Sequence, residues 1–555
     1  MIGRTYYADG SAPNNLFGSV TFSNRFTGYA YSDFLLGIPT TSARSFPNFV
    51  NHELRWSQDY FVTEEFKVTP SLTLDLGLRY EYHPSATNLE GYNSIFDIAS
   101  GKIIVPDGSM SKVSPLLPAS YVGVTTASQA GLPNTLLRTD KNNFAPRLGV
   151  AWRPIGNNTV FRAGFGIFYD IVPETPASNS VPFVIDQPAY TNPLTNPNVI
   201  LPLVYPTSGT AGPTTVSLPT AVNPNIKIPY SMQYNVTAEH QQGDTAFRLS
   251  YIGTNTRHGN YNYNINQPLP STALYINKPR LFPQYPGINY LTNGAGHQYN
   301  ALTAEVKRRG AKGLTYQLSY TLARDIGDLE RGQSPENAYD RHRERGPWLD
   351  IPKHAVTGNL IWEVPVGKGQ RFLANGNRWL NAVAGGWSTS LIYTYHAGRF
   401  LTPLWTGPDP TGTAYTTNSA PATVTIRPNI ISNPNLPSDR RSVSQWFNPA
   451  AFAPPTPGQF GTSGPGVIIG PSLTVWDAGI FKRFTIGERL SVRFEVTAVN
   501  VLNHPNYSDP ALNISQAANV AVISGVGGSS NVSGASSPLD PSGARAFRTG
   551  IRLEF

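Results

Sequence analysis

The chain has no cysteine and is poor in charged residues. None of its 555 residues is Cys, which excludes disulfide bonds, cysteine-based zinc sites and thiol catalysis. Charged residues make up 14% of the sequence, well below the roughly 25% of a typical globular protein. A cysteine-free chain is also compatible with export through an oxidising compartment.

Long hydrophobic runs are missing as well. There is no stretch of about 20 apolar residues, so the sequence predicts no transmembrane helix. The mean hydropathy of −0.25 does not exclude a membrane protein, because membrane-crossing strands alternate apolar with polar residues. The first residues (MIGRTYYADG) lack the apolar core of a secretory signal. We therefore expect a signal peptide and further N-terminal sequence to lie outside this chain.

Aromatic and loop-forming residues are abundant instead. The chain contains 28 Tyr and 26 Phe, together with 50 Gly and 49 Pro. This composition favours a long β-protein with many loops over a helical enzyme, and the aromatic content argues against global disorder. The formal net charge is +8, but Lys and Arg are scattered without a sustained basic run. No nucleic-acid partner is therefore predicted.

The dominant pattern is an alternation of apolar and polar residues. In residues 71–83 (SLTLDLGLRYEYH), Leu and Tyr occupy every second position, and residues 314–322 and 490–498 follow the same rule. Since successive strand side chains point to opposite faces, each segment predicts a strand with one apolar and one polar face. We expect the polar, inward face to carry a set of charged residues, namely Arg79, Glu81, Arg147, Arg153, Arg493 and Glu495.

Three details favour a membrane-spanning barrel over a soluble β-sandwich. The alternating segments run for about 10 to 13 residues, the length that a tilted strand needs to cross a bilayer. Several apolar faces end in an aromatic residue, as at Tyr80, Tyr82 and Trp152, which suits an aromatic girdle at the membrane interface. Short turns and long excursions alternate, as do the periplasmic turns and extracellular loops of outer-membrane barrels.

The connections can be placed on the sequence from their Gly, Asn, Asp and Pro content. Short turns are predicted at residues 69–70, 156–158, 242–244, 310–312 and 486–488. Long excursions are predicted at residues 84–142, 171–228, 257–297, 325–352, 399–471 and 504–544. The connection at residues 367–385 is longer than the other turns of its class.

The strand count predicts a partial barrel. We expect about thirteen clear strands and two weaker strands within residues 19–45, hence about fifteen, whereas a closed bacterial barrel has an even number. The predicted fold is therefore all-β: a transmembrane antiparallel β-barrel of the bacterial outer membrane, with long extracellular loops. Residues 1–555 would form its C-terminal part.

The last strand of the chain carries an alternating apolar face that ends in the terminal residue. Phe547, Ile551, Leu553 and Phe555 share this face. A terminal Phe on such a strand is typical of the signal that the barrel-assembly machinery reads. The alternative is an ordinary edge strand that ends in Phe.

Several segments together resemble a known family, the Oar-like branch of TonB-dependent receptors. They are YSDFLLGIP (31–39), YFVTEEFKVTPSLTLDLGLRYEY (60–82), NFAPRLGVAWRPIGNNTVFRAGFGIFYD (143–170), YNALTAEVKRRGAKGLTYQLSYT (299–321), HAVTGNLIWEVPVGKGQRF (354–372), GGWSTSLIYTYHAGRF (385–400) and VLNHPNY (501–507). The resemblance spans nearly the whole chain and rests on the order and spacing of these segments.

The resemblance implies a barrel of about 22 strands, a plug domain in its lumen and an energy-coupling box ahead of the barrel. This chain would supply the last fifteen or so strands, so the plug and the coupling box are expected outside it. The implied partners are outer-membrane lipid and lipopolysaccharide, the barrel-assembly machinery and a TonB-type energy-coupling protein. The coupling protein would act only through the plug.

Charged loop residues are the main candidates for ligand binding. Arg341, Arg343 and Arg345 lie in the segment DRHRERGPWLD and could bind an anionic group of a ligand or of lipopolysaccharide. The alternative is a solvated loop in which these arginines pair with Glu344 and Asp340.

Metal and cofactor chemistry finds little support in the sequence. Asp325 and Asp328 could supply oxygens to Ca²⁺, but no full calcium loop follows, and a solvated pair is the alternative. The histidines at 258, 297, 342 and 354 show no metal-ligand spacing. Gly164 and Gly166 lie on a predicted strand and favour a bend or room for a bulky neighbour over a nucleotide loop. No metal, cofactor or catalytic residue is predicted.

Three functions remain to be compared. The leading hypothesis is a receptor and transporter for ligand uptake into the periplasm. The second is a surface binding or adhesion protein without transport. The third, a secreted all-β glycan hydrolase, would need two carboxylates about 5–10 Å apart in a cleft, and the sequence nominates none. We therefore predict that the chain is not an enzyme.

Overall fold

The computed structural model describes most of the chain. The described residues are 2–9, 18–46, 51–114, 117, 122–170, 176–178, 181–183, 185–197, 199–205, 218–311, 313–329, 334–417, 419–486, 490–526 and 544–555. Residues 487–488 of the predicted turn at 486–488, residue 312 of the turn at 310–312 and parts of the predicted excursions lie outside these residues.

Strands dominate the described structure. The first ten are β1 (Ile2–Asp9), β2 (Ser19–Thr21), β3 (Thr41–Phe46), β4 (Asn51–Thr69), β5 (Leu72–Tyr82), β6 (Thr87–Asn88), β7 (Asn93–Asp97), β8 (Lys102–Val105), β9 (Val124–Thr126) and β10 (Phe144–Trp152). The next ten are β11 (Thr159–Tyr169), β12 (Ala177–Ser178), β13 (Ile185–Thr191), β14 (Ala221–Val222), β15 (Tyr230–Gln242), β16 (Thr245–Asn264), β17 (Asn289–Ala311), β18 (Leu314–Gly327), β19 (Gly346–Pro347) and β20 (His354–Glu363). The remainder are β21 (Trp387–His396), β22 (Phe400–Leu401), β23 (Trp405–Pro408), β24 (Thr423–Ile426), β25 (Asn429–Ile430), β26 (Phe452–Ala453), β27 (Ile468–Ile469), β28 (Leu473–Ile486), β29 (Leu490–Val499) and β30 (Ala546–Glu554).

Helices are few and short in the described residues. The α-helices are α1 (Ala30–Leu35) and α2 (Arg378–Ala384). Single 3₁₀ turns occur at Met110–Lys112, Tyr275–Asn277, Arg341–Glu344, Ser438–Arg440 and Pro449–Ala451.

One large, mainly antiparallel sheet organises the molecule. It contains 17 strands, of which β6, β14 and β19 are two-residue additions at its margin. The other fourteen, which we call the wall, follow one another as antiparallel neighbours in the order β1, β4, β5, β10, β11, β15, β16, β17, β18, β20, β21, β28, β29 and β30. Within the described residues, β1 and β30 are not paired with each other. The wall confirms the predicted all-β, antiparallel fold.

The first part of the chain differs from the prediction. The two weaker strands expected within residues 19–45 are not wall strands, because β2 and β3 join β13 in a separate three-stranded sheet. Between them, Asp33 of α1 accepts hydrogen bonds from the backbone amides of Phe26 (3.1 Å) and Thr27 (2.8 Å) and folds the segment onto itself. The additional wall strand is β1 instead. The described wall therefore has fourteen strands, an even number rather than the expected odd one.

Short and long connections alternate along the wall, as predicted. The short ones join β4 to β5, β10 to β11, β15 to β16, β17 to β18 and β28 to β29, and they lie at one edge of the wall. The long ones lie at the other edge and contain the small sheets and 3₁₀ turns. In outer-membrane barrels the edge with the short turns faces the periplasm and the loops face outward, and the sequence analysis predicts the same orientation here.

The register separates an apolar face from a polar face. One apolar row crosses four strands as Leu76, Leu148, Phe165 and Tyr234. The adjacent row on the opposite face is polar or small, namely Gly77, Arg147, Gly166 and Gln233. The apolar face is exposed, with 46% of Leu148 and 56% of Val236 accessible. Because water would make such a surface unfavourable, it is suited to lipid.

Gly166 shows why glycine occurs on the inner face of the wall. A Cβ at this position would lie 2.9 Å from the ring of Phe168. The ring of Phe168 makes a cation–π contact with the guanidinium of Arg147, which lies 4.9 Å from the ring centroid. The predicted role of Gly166, room for a bulky neighbour, is confirmed.

The buried apolar cores lie in the loops and not in the wall. One core is built around Phe96, Ile103 and Phe183, and a second around Ile95, Ile104 and Leu136. A third, around Phe447 and Ile468, joins the loop between β21 and β28 to that between β29 and β30. We call these packed loops together the loop layer.

The two described α-helices, of six and seven residues, are too short to span a bilayer.

Candidate functional site

The longest wall strands carry a tyrosine cluster toward the loop layer. β16 has 20 residues and β17 has 23, about twice what a strand needs to cross a bilayer. Near their outer ends, the rings of Tyr261 and Tyr263 stack with centroids 5.8 Å apart, and Tyr290 meets Tyr263 edge-on at 5.5 Å. Aromatic faces and hydroxyls at an outer surface can bind a ligand by stacking and hydrogen bonding.

Arg341 joins this tyrosine cluster to the base of its own loop. Its guanidinium lies 5.3 Å from the ring centroid of Tyr261. Its Nε donates to Asp328 Oδ2 at 3.1 Å. Asp328 Oδ1 also accepts from the backbone amide of Gly296 at 2.8 Å. The carboxylate thus holds Arg341 over the aromatic ring.

The other two predicted arginines have different surroundings. Arg343 is held by protein groups, because its guanidinium donates to the carbonyl of Gly461 and lies 5.7 Å from the ring centroid of Phe460. Arg345 is exposed. The three side chains therefore do not form one shared pocket, and their anion-binding role stays a prediction.

Glu344 does not pair with the arginines of its own segment, as the alternative proposed. It forms a bidentate pair with Arg427 from the loop between β21 and β28, whose Nη2 lies 2.9 Å from Glu344 Oε1. Asp340 instead caps the 3₁₀ turn by accepting from the amide of His342 at 3.1 Å. The loop is cross-linked to another loop rather than solvated.

Arg427 is the centre of this cross-link. It is 5% exposed and also pairs with Glu336, whose Oε2 lies 3.1 Å from Nη2. The backbone amide of Arg427 donates to the other oxygen of Glu336 at 2.8 Å. Burial raises the pKa of Glu336, against the attraction of Arg427. Burial opposes the charge of Arg427, yet its hydrogen bonds to Glu344 leave its pKa raised.

The two aspartates considered for calcium belong to separate contacts. Asp325 is 7% exposed and lies 3.2 Å from His297 Nδ1, while Asp328 is 9% exposed and binds Arg341. His297 also packs its ring 4.5 Å from that of Trp348. Neither aspartate is a member of the solvated pair that was the alternative, because each is buried against a basic partner.

The other three histidines that the sequence analysis named do not contact one another and have separate surroundings. His354 Nδ1 lies 2.8 Å from the hydroxyl of Tyr320, and His258 packs edge-on against Tyr230 at 5.3 Å. His342 is exposed.

A further polar cluster, which the sequence analysis missed, lies on the inner face near the outer end of β5. His83 Nε2 lies 3.0 Å from Asp59 Oδ1, and His83 Nδ1 lies 4.0 Å from Glu81 Oε2. Arg79 contacts both carboxylates, at 3.2 Å from Asp59 and 3.0 Å from Glu81. The three ligand types could hold a metal ion. The signal in the sequence is the spacing of two that puts Arg79, Glu81 and His83 on one face.

A ladder of ion pairs crosses the inner face near the periplasmic edge. Glu239 on β15 pairs with Arg162 on β11 and with Arg248 on β16, the latter at 2.8 Å. Arg248 continues to Glu305 on β17 at 3.8 Å. These residues line a cavity of about 590 Å³. These four charged residues, which the sequence analysis did not name, lie on the face opposite the apolar rows, as Arg147 does.

The residues of the predicted assembly signal lie on the apolar face of the last strand. Phe547 opposes Ala498, Ile551 opposes Phe494, and Leu553 opposes Val492. Phe555 is 100% exposed. This placement agrees with the alternation in the sequence, and the role in assembly stays a prediction.

The wall consists of long antiparallel strands with an exposed apolar face and a charged inner face. It has short turns at one edge and folded loops at the other. Together these features define a transmembrane β-barrel. The sequence agrees with this class. Residues 3–534 match the family described as outer membrane beta barrel domain, so the chain belongs to this family. Its place is the bacterial outer membrane, as predicted.

The comparison with solved structures found receptors and transporters at low similarity. The ferripyoverdine receptor of Pseudomonas aeruginosa is 10% identical with a TM-score of 0.37, and the match covers 84% of this chain and 38% of the receptor. The ferric citrate transporter FecA is 9% identical with a TM-score of 0.38, covering 91% and 46%. The ferric yersiniabactin uptake receptor of Yersinia pestis is 8% identical with a TM-score of 0.35, covering 86% and 44%.

This chain therefore spans less than half the length of each of these three proteins. No curated protein sequence matches it.

Proposed function

We propose that this chain forms the barrel strands and extracellular loops of a receptor of the TonB-dependent kind, which takes up a ligand into the periplasm. The observation that carries the proposal is the loop layer. The loops have buried cores of their own and are cross-linked by the buried Arg427. A preorganised outer surface suits specific ligand capture, because little conformational entropy is then lost on binding.

The tyrosine cluster and its arginine are the proposed ligand contacts. Tyr261 and Tyr263 offer ring faces, and Arg341 is held beside them by Asp328. Arg345 is exposed and would bind an anionic group more readily than Arg343, whose guanidinium already has a protein acceptor. An aromatic ligand with an anionic substituent fits this chemistry.

Uptake would require partners that act outside the described strands. A TonB-type energy-coupling protein would act through a plug domain of the barrel. The apolar face of β30 with Phe555 would be read by the barrel-assembly machinery, and the outer loops would contact lipopolysaccharide.

The test is to delete the gene in its host and profile the small molecules that each strain removes from the medium. Uptake predicts that a compound is depleted by the parent strain and not by the deletion strain. Depletion should stop when an uncoupler collapses the proton gradient. A surface-binding or adhesion role, the alternative, predicts binding that survives the uncoupler without accumulation in the periplasm.

A further inference from the structure

The connection between β20 and β21 has a structure that a simple periplasmic turn does not need. It is the connection that the sequence marked as longer than its class, and it contains α2. The side chain of Asn377 caps α2 by accepting from the amide of Leu380 at 2.8 Å. The position of α2 relative to the wall shows what this extra segment does.

The C-terminal end of α2 is fastened to the apolar, outer face of the wall. Trp387 and Lys482 are direct partners across β21 and β28. Trp387 Nε1 donates to the carbonyl of Val383 at 2.8 Å, and Lys482 Nζ donates to the same carbonyl at 3.1 Å and to that of Gly385. A cation and an indole thus satisfy carbonyls at the helix C-terminus, where positive charge is favourable.

The α2 segment supplies hydrogen-bond acceptors to Lys482, a basic residue on the outer face of the wall. Its row on the outer face continues through Phe494 to Ile551, so it lies on the side that faces lipid. A basic residue on that side costs from about 0–1 kcal/mol near the interface to about 2–4 kcal/mol at the midplane. Lys482 is only 6% exposed and uses its ammonium on the carbonyls of the α2 segment.

The segment is closed tightly at its base. Gly367 has a φ of +122°, and a Cβ there would lie 2.6 Å from Asn381 Oδ1. The same oxygen accepts from the amide of Lys368 at 2.7 Å. These contacts fix α2 relative to the ends of β20 and β21.

The free side of this segment is apolar and uncovered. Trp379 is 81% exposed and Val383 is 73% exposed, and their spacing of four puts them on one face of the helix. Phe372, in the same connection, is 54% exposed. Exposed Lys368, Arg371 and Arg378 lie in the same segment.

We propose that α2 and its flanking residues form an interfacial anchor that inserts into the periplasmic leaflet of the outer membrane. The occupant of the apolar face is phospholipid, because that face continues the lipid-facing wall through Trp387 and Lys482. Tryptophan is favoured at the headgroup level, and the basic residues suit anionic headgroups. The proposal rests on the membrane location of the wall and is independent of ligand uptake.

The absence of cysteine in the chain allows a direct test. Val383→Cys and, as the control in another periplasmic turn, Asp244→Cys are each labelled with an environment-sensitive fluorophore. The full chain is then folded into vesicles of phosphatidylethanolamine and phosphatidylglycerol, and folding is checked by heat-modifiable migration on gels. Quenching is measured with nitroxide-labelled lipid and with aqueous iodide.

The anchor predicts at least about threefold more lipid quenching at position 383 than at position 244, with protection from iodide. Equal iodide quenching at both positions in the folded protein would overturn it. The proposal would also be overturned if the probe at position 383 were protected from iodide in native membranes but quenched by iodide in pure lipid vesicles. A protein partner, and not lipid, would then cover the apolar face. A Trp379→Cys label repeats the measurement if Val383→Cys fails to fold.

Discussion

At the residue scale, Arg427 is the side chain on which the order of the loop layer depends most. It is buried between Glu336 and Glu344, two carboxylates of a different loop. Removing one partner of a buried ionic group leaves the others uncompensated, at a cost of about 3–5 kcal/mol. We expect Arg427→Gln to raise hydrogen exchange in residues 334–347 and 423–462 while the wall strands keep their protection.

The matched control is Arg345→Gln, since Arg345 is exposed in the same loop region. A surface change of this kind should alter stability by no more than about 0.5 kcal/mol. Equal exchange in the two variants would contradict the role assigned to Arg427.

Glu336 gives the loop layer a dependence on pH. Its pKa is raised in the folded protein by burial, so folding favours the protonated form. The stabilisation is therefore complete below the unfolded pKa and is lost as the pH rises through the raised folded pKa. Glu336→Gln mimics the protonated form. We expect the melting temperatures of the wild type and this variant to be equal near pH 4. As the pH rises to 7, the melting temperature of the wild type should fall below that of the variant. Circular dichroism in detergent measures both. A melting temperature of the wild type that rises relative to the variant over this pH range would contradict the assigned direction of the pKa shift.

The ion pairs of individual loop residues could not all be predicted, because some partners lie far apart in the sequence. The sequence singled out Arg341, Arg343 and Arg345, and its alternative paired these arginines with Glu344 and Asp340 of the same segment. The structure pairs Glu344 with Arg427, 83 residues away, and a single sequence has no periodicity that links two irregular loops. The cluster around His83 was accessible in principle, because its spacing of two continues the strand pattern of β5.

At the element scale, the strands follow from alternation alone. The apolar and polar positions of β5, β18 and β29 were assigned to opposite faces from the sequence, and the register confirms those faces. A neighbouring pair on β18 tests which face meets lipid. Leu318 is 47% exposed on the apolar face, and Gln317 on the inner face donates to Glu305 at 3.1 Å.

We expect Leu318→Arg to destabilise the folded barrel by about 2–4 kcal/mol, because the cation would enter the bilayer. Gln317→Arg should be nearly neutral, since the new guanidinium can pair with Glu305. Urea unfolding in lipid vesicles measures both variants. A larger loss for Gln317→Arg would mean that the two faces are reversed.

Elements without alternation were predicted less well. The segment of residues 19–45 was expected to contain two wall strands, but local hydrogen bonds to Asp33 fold it around α1. β1 was missed because the sequence IGRTYYAD does not alternate apolar with polar residues. The sequence marked the connection that contains α2 as long, but seven helical residues are too few for periodicity to identify a helix.

At the scale of the whole molecule, the distribution of apolar residues separates a membrane wall from a soluble sheet. Buried cores lie in the loop layer, while the wall exposes Leu and Val on one face. A soluble sandwich would bury that face against a second sheet. The opposite arrangement here leaves lipid as the partner of the wall, in agreement with the family to which the chain belongs.

The most direct test of this account labels the two edges of the wall from outside the cell. In the cysteine-free protein, Arg345→Cys in the loop layer and Asn157→Cys in the turn between β10 and β11 are exposed to a membrane-impermeant maleimide. We predict that intact cells label only position 345 and that position 157 reacts after the outer membrane is permeabilised. Labelling of position 157 on intact cells, with position 345 protected, would contradict the assigned topology of the wall.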